Sequence, residues 1–238
     1  MFGRAWLDVL DGTECSLKRH RAFAARHALT GDRMKLHWSP RSPFVRKVMV
    51  VAHERGVAGR LNCVRTIAAT SKPHAELMID NPLSKIPTLV LDDGTVIYDS
   101  PVICEYFDSI GDEETPKLFP SAPKARLTAL RRQALGDGFL DLLVLLRDER
   151  LRANPSEAHL VSAALRKKAI LDSLELEAPE LAAIQFGIGH IAIGCALSYL
   201  DFRYADEEWR EGRQRLAHWH ATFAARSSVE ATEPVDDS

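Results

Sequence analysis

Between residues 34 and 110 the spacing of apolar positions switches period several times, and each switch marks an element. Met34-Lys-Leu-His-Trp alternates apolar and polar, the two-residue period of a strand. Phe44, Val45, Val48, Met49 and Ala52 then recur at helical spacing until Gly56, and Pro43 suits the first helical position. Residues 61–67, Leu-Asn-Cys-Val-Arg-Thr-Ile, alternate again, and residues 73–80 are long enough for one short helix. Leu89-Val90-Leu91 and Val96-Ile97-Tyr98 flank Asp92-Asp93-Gly94, a strong local signal for a hairpin. Pro87 stands just ahead of the first of these strands, where it costs no ladder hydrogen bond. Val102, Ile103, Tyr106, Phe107 and Ile110 resume helical spacing, with Ser100 as a natural N-cap. The order β-α-β, short helix, β-β-α predicts a parallel βαβ unit followed by an antiparallel hairpin and a helix.

Beyond residue 112 the pattern changes. Residues 113–123 are rich in proline and charge and read as a linker. From 124 to 226 every apolar pattern is helical. A long helix carries Leu127, Leu130 and Leu135 into Leu142-Leu143 and Leu145-Leu146, and a second spans about Ser156 to Leu174. Ile188 to Leu200 is apolar nearly all round, so it should be central in its domain. It is well short of the roughly 20 residues of a membrane span. Glu207 to Ala225 supplies a last amphipathic helix with Trp209, Leu216, Trp219 and Phe223. Residues 227–238 carry four acids without periodicity and read as a disordered acidic tail. Residues 1–33 lack a continuous apolar stretch of signal-peptide type and read as an extension outside the core fold.

Composition adds exclusions. With 238 residues, 46% hydrophobic and 27% charged, the chain has the makeup of a globular protein with room for two modest domains. A net charge of −2 without a long basic run gives no support for nucleic-acid binding. Cys15, Cys63, Cys104 and Cys195 are dispersed and form no CxxC pair. That argues against a disulfide framework, a zinc site or a dithiol redox centre, and suits a reducing cytosol.

Residues 81–100, from Asn-Pro-Leu-Ser-Lys-Ile-Pro-Thr through the hairpin to Tyr-Asp-Ser, closely resemble the second half of the thioredoxin-like domain of cytosolic glutathione S-transferases. Ile188-Gly-His-Ile-Ala-Ile-Gly-Cys-Ala-Leu-Ser-Tyr-Leu-Asp-Phe-Arg resembles the core helix of that family's second domain. The whole likeness covers about residues 34–225. It implies an α/β thioredoxin-like domain at 34–112 joined to an all-α domain at 124–226, in a serine-type, bacterial-like member. One departure stands out. The family opens the core helix with a Ser/Thr-x-x-Asp capping box, and here those positions are Gly187 and His190. A cap is worth about 1 kcal/mol and glycine loses little of it, so this bears on stability.

The chemistry would sit in the loop Ser39-Pro-Arg-Ser-Pro-Phe, where the family has its catalytic loop. A helix N-terminus stabilises negative charge, and a hydroxyl donating to a thiolate adds about 1.5–3 kcal/mol. Ser42, immediately before Pro43, is the best-placed hydroxyl, with Ser39 the runner-up; a Ser42 that merely caps its helix is the plainer alternative. Omega-like relatives carry cysteine at the place of Ser42, so its absence disfavours glutaredoxin-like thiol transfer and dehydroascorbate reduction. The resemblance further implies that Ile86 and a cis Pro87 meet the cysteinyl backbone of glutathione, that Asp99 and Ser100 take its γ-glutamyl end, and that Lys85 assists at a carboxylate. His74 and His190 read as surface or packed histidines, and Cys104 as a small buried hydrophobe. The expected activity is attack of the glutathione thiol on a small apolar electrophile by a cytoplasmic homodimer active in detoxification. Glutathione enters as co-substrate, with no metal, other cofactor, nucleic acid or membrane. The alternatives are a non-catalytic regulatory protein on the same fold, or a specialised glutathione-dependent isomerase, etherase or dehalogenase.

Overall fold

The computed structural model describes residues 33–70 and 72–237, so the expected extension at 1–33 lies almost wholly outside the described residues. The elements in chain order are β1 (Met34–Trp38), α1 (Pro43–Glu54), β2 (Leu61–Arg65), α2 (Ala75–Asp80), β3 (Thr88–Val90), β4 (Val96–Ile97), α3 (Ser100–Ile110), α4 (Pro123–Arg150), α5 (Glu157–Ala183), α6 (Ile188–Arg203), α7 (Gln214–Ala224) and α8 (Ser227–Glu230). Among the described residues no helix is long and apolar enough to cross a membrane.

The strands form one sheet of order β2-β1-β3-β4. β1 and β2 run parallel, with Leu36 opposite Cys63. β3 is antiparallel to β1, with His37 opposite Thr88, and β4 is antiparallel to β3, with Leu89 opposite Ile97. This is the expected βαβ unit plus hairpin, and it makes the sheet thioredoxin-like. Leu36 and Leu89 of the sheet and Leu77 of α2 are fully buried. The strands belong to a unit made of residues 34–39 and 59–103, while 40–58 and 104–237 form a second, helical unit. By packing, α1 and most of α3 therefore group with the helical unit, although the sequence reading placed them in 34–112.

In the helical unit α6 is central: every residue from Ile188 to Leu200 is buried, as expected of a helix apolar all round. α4 lies close against it. A Cβ at Gly136 would meet the backbone carbonyl carbon of Ala192 at 2.5 Å, so a side chain there would force the two helices apart. The segment read as a linker is pinned within this unit. The Asp108 carboxylate accepts from the backbone N–H groups of Leu118 at 2.8 Å and Phe119 at 3.3 Å. Fully buried Arg55 pairs with that carboxylate at 3.1 Å and donates to the Thr115 carbonyl at 2.6 Å.

Strand ends differ from the sequence reading by one or two residues, and three boundaries in the helical unit differ by more. α5 continues past Leu174 to Ala183, with Pro179 inside it. The last long helix begins at Gln214 rather than Glu207, because the preceding turn is tied back by the Trp209 indole, which donates to Asp201 at 2.7 Å. The segment read as a disordered tail contains α8, and Val229 there is 1% exposed. Burial of that valine and a hydrogen bond of 3.2 Å from Arg46 to its carbonyl give the segment tertiary partners that composition does not reveal.

Two histidines lie within the helical core. His190 completes half of the missing capping box: its Nδ1 accepts from the Gly187 N–H at 3.1 Å, and its Nε2–H donates to the Leu181 carbonyl at 3.0 Å. The ring so bonded is neutral. His220 contacts the Ser198 hydroxyl through Nε2 at 3.0 Å. Burial lowers both rings, and His220 is pushed down to about 4 against the opposing pull of Asp201. A histidine depressed in the folded state binds fewer protons there than when unfolded, so stability is complete above the unfolded value and declines below it. Melting temperature should therefore fall as pH drops from 6.5 towards 4, and His220→Gln should flatten part of that slope. Identical slopes in the two proteins would refute this assignment.

Candidate active site

The sheet topology gathers most of the sequence-chosen residues at one end. β3 begins just after Lys85-Ile86-Pro87, and β4 ends just before Asp99-Ser100. Because β3 and β4 are antiparallel, the start of one adjoins the end of the other. β1 is also antiparallel to β3, so Ser39, one residue past its end, reaches the same edge. Ser39 and Pro87 are buried there, Ile86 is half-buried, and Lys85 and Asp99 are exposed. The Ile86–Pro87 peptide bond is cis, as the resemblance implies, and so is Tyr98–Asp99.

Ser100 is 2% exposed and is the first residue of α3 rather than its N-cap. The cap position falls to Asp99, whose carbonyl accepts from the Ile103 N–H at 3.1 Å. The pair is shifted by one residue, and both side chains remain at the helix start.

The loop carrying Ile86 is held by two residues that sequence reasoning did not select. Asn81 is 1% exposed and donates from its amide to the Lys85 carbonyl at 3.1 Å and to the Thr88 hydroxyl at 2.9 Å. Thr88 in turn donates to the same Lys85 carbonyl at 2.8 Å. The Asn81 side-chain oxygen accepts from the Leu83 N–H at 3.0 Å, an Asx-turn that an Asn-Pro pair in sequence can signal. A second polar cluster lies at the base of α2. Asp80 accepts from Lys35 at 2.5 Å and contacts Nε2 of buried His37 at 2.7 Å, and His37 Nδ1 meets Thr66 at 3.0 Å. Burial pushes the Asp80 carboxyl up, and the hydrogen bonds from His37 and Lys35 outweigh it, so it titrates below the ordinary carboxylate range.

Ser42 belongs to the helical unit and caps α1. Its Oγ accepts from the Val45 N–H at 3.3 Å. A serine hydroxyl has one donor and two acceptor positions, so capping uses an acceptor and leaves the O–H free to donate elsewhere. The plainer reading, a cap, and the chemical one are thus compatible in a single rotamer. The first turn of α1 contains no acidic residue, so the positive end of its dipole is not offset from within the helix. Such an end stabilises an anion, and a hydroxyl donor beside it suits a thiolate.

A thioredoxin-like sheet followed by an all-helical unit is the architecture of the glutathione S-transferase family. Family models agree: Glutathione S-transferase, N-terminal domain matches residues 41–110, and Glutathione S-transferase, C-terminal domain matches 168–222. The chain is 32% identical over 205 residues to the uncharacterized GST-like protein YibF of Escherichia coli K12, covering 84% of this chain and 98% of that one. A glutathione transferase family member from Pseudomonas fluorescens Pf-5, solved with bound glutathione, is 41% identical with a TM-score of 0.81, over 85% of this chain and 99% of that one. A structure from the same organism with bound S-(propanoic acid)-glutathione is 38% identical, TM-score 0.77, over 85% and 100% of the two chains. This chain belongs to the glutathione S-transferase family.

Removing the loop's internal clamp should be measurable. Asn81→Leu leaves the Lys85 carbonyl and the Thr88 hydroxyl without their amide donor, and urea denaturation should show a loss of about 1–3 kcal/mol. A variant within a few tenths of wild type would show that the clamp is not needed to hold the loop.

Proposed function

We propose that this protein is a glutathione transferase that binds glutathione and uses Ser42 to hold its thiol as the thiolate. The observation carrying this reading is the Ser42 hydroxyl, which caps α1 through its acceptor side and keeps its proton for a ligand at a helix N-terminus free of acidic residues. The relatives solved with glutathione and a glutathione conjugate support the choice of ligand. Backbone groups of Ile86, with Pro87 shaping the turn, take the cysteinyl part of glutathione. Asp99 and Ser100 take the γ-glutamyl end, and Lys85 assists at a carboxylate. The thiolate sulfur then forms a bond to an electrophilic carbon of a largely apolar substrate, and the leaving group departs with its electron pair. On this reading residues 34–112 are the glutathione-binding domain and 124–226 the helical domain, in a cytoplasmic homodimer that removes electrophiles.

The reaction needs no general base beyond the site itself. A thiol of pKa about 8.5 comes near neutrality when a hydrogen bond worth roughly 1.5–3 kcal/mol favours its anion. Each pKa unit corresponds to about 1.4 kcal/mol, so Ser42 supplies about one to two units.

Ser42→Ala should leave glutathione affinity within a few fold, because the Ile86, Asp99 and Ser100 anchors remain. The pKa of the bound thiol should rise by about one to two units. At acidic pH the conjugation rate should fall about tenfold or more and partly recover in alkaline buffer, where the thiol ionises unaided. Ser39→Ala serves as the comparison and should do less. A shifted pH–rate profile in Ser39→Ala alone would transfer the role to Ser39, and no shift in either would remove the proposed chemistry.

A further inference from the structure

His37 sits where β1, β2 and α2 meet, and its ring ties the three together. Its Nε2 lies 2.7 Å from Oδ2 of Asp80, the last residue of α2, and its Nδ1 lies 3.0 Å from the hydroxyl of Thr66, just past β2. Thr66 donates its own proton to the Val64 carbonyl at 3.1 Å, so it accepts from Nδ1, and a carboxylate can only accept from Nε2. The ring therefore donates at both ends. Lys35 donates to the same Asp80 oxygen at 2.5 Å, so a single carboxylate moors α2 to β1. His37 and Thr66 are buried, where charge-assisted hydrogen bonds are stronger than in water.

That mooring matters because α2 has little else to hold it. Of its six residues only Leu77 is buried, and a helix this short does not stand on its own. With Leu77 as the apolar pivot, Asp80 decides how the C-terminal end of α2 lies on the sheet. The next residue is Asn81. Its backbone N–H donates to the Leu77 carbonyl at 2.7 Å, and its side chain grips the Lys85 carbonyl together with Thr88. Thr88 stands directly opposite His37 in the β1–β3 register, so the two side chains share one face of the sheet. In the trans Lys85–Ile86 peptide, a carbonyl turned towards Asn81 sends the Ile86 N–H the opposite way. Neither that N–H nor the Ile86 carbonyl has a hydrogen-bond partner among the described residues, so both remain unspent. Ser84 in the same loop has a left-handed φ of 51°, which a serine keeps only where its surroundings impose it. Here its N–H donates to the Asn81 carbonyl at 2.9 Å, and its hydroxyl accepts from the His74 N–H at 2.8 Å.

We infer that His37 is a positioning residue for glutathione: through Asp80 it sets the place of Asn81, and through Asn81 the direction of the Ile86 backbone groups. This rests on the reading of Ile86 as the partner of the cysteinyl backbone. The network prepares those groups before the ligand arrives. Loosening it leaves the bound state intact and lowers the fraction of protein ready to bind, so apparent affinity falls in proportion to that fraction. Ionisation of the bound thiol is untouched, because on the same reading it belongs to Ser42 in the other unit.

The test measures glutathione affinity by calorimetry on the full chain, and the pKa of the bound thiol by its thiolate absorbance. His37→Leu removes both donors and should weaken glutathione about tenfold, the worth of one charge-assisted hydrogen bond, while the thiol pKa and the rate at saturating glutathione stay at wild-type values. His37→Gln keeps a donor towards Asp80 and should lie within about threefold of wild type. In a double-mutant cycle with Asn81→Leu the second loss should add little to the first, since both act through one clamp. Should His37→Leu fail to fold, Asp80→Asn, which keeps the shape and removes the charge, takes its place with the same expected loss; should the double variant fail, the contrast between Leu and Gln at position 37 decides. Additive losses, equal losses in the Leu and Gln variants, or a shifted thiol pKa with unchanged affinity would each overturn the positioning role. Wild-type affinity in His37→Leu would overturn it while leaving the glutathione reading in place. A wild-type protein that does not bind glutathione would remove that reading, and the positioning role with it.

Discussion

The helical unit depends on neutralising the cations that α1 carries into it. Lys47 is completely buried and pairs with Asp137 of α4 at 2.6 Å, and Arg55 at the end of the helix pairs with Asp108. Removing one partner of a buried ion pair costs about 3–5 kcal/mol, because the other charge is left without water or counterion. These pairs therefore act as a register device: α1 can rotate or slide only by stranding a charge. The outer face of the same helix adds Glu54, whose carboxylate takes Arg226 at 2.9 Å. Since Ser42 is the cap of this helix, the position of its hydroxyl is inherited from contacts made as far away as the helix's other end. The apolar residues Val45, Val48 and Val51 supply burial, and the charges supply uniqueness.

The same contrast explains what could be read from the chain. The Asp93-Gly94 turn between two apolar runs, the Pro87 break, and the helix starts are local signals, and the order of elements along the chain follows from them. The all-round apolarity of α6 announced its central place. What was not legible depends on partners distant in sequence. Arg46 reaching the Val229 carbonyl spans 183 residues, and it makes an ordered helix of a stretch that composition assigns to disorder. Asn81 and Thr88 look like ordinary turn and strand residues, and their joint grip on Lys85 exists only once the loop has closed. The one-residue shift at Ser100 is of another kind: Asp and Ser are both good caps, and neighbouring caps cannot be ranked without the backbone.

Buried polar groups at α6 make a related point. The family's capping box needs a carboxylate at the position of His190, yet the imidazole accepts the same Gly187 N–H and spends its second nitrogen on a carbonyl. A neutral ring with both nitrogens satisfied meets the rule for buried polar groups as well as a carboxylate does. Its cost is sensitivity to acid, since burial favours the neutral form.

Arg46 separates the structural from the chemical use of charge on α1. Unlike Lys47, its guanidinium donates to a neutral carbonyl, and its buried Nε has no hydrogen-bond partner among the described residues. It lies one turn beyond Ser42, and its backbone N–H donates to the Ser42 carbonyl at 2.9 Å. Within α1, then, Lys47 is matched by a carboxylate, while Arg46, the charge nearer the cap, has a carbonyl rather than a carboxylate as its side-chain partner among the described residues. The Arg46 charge is felt at Cys195 and His220 in the helical core, where it disfavours the protonated form of each. On the transferase reading Ser42 is one of two contributions that favour a thiolate at this place, together with the first-turn N–H groups. The hydroxyl contributes direction through its single proton, and the N–H groups contribute field.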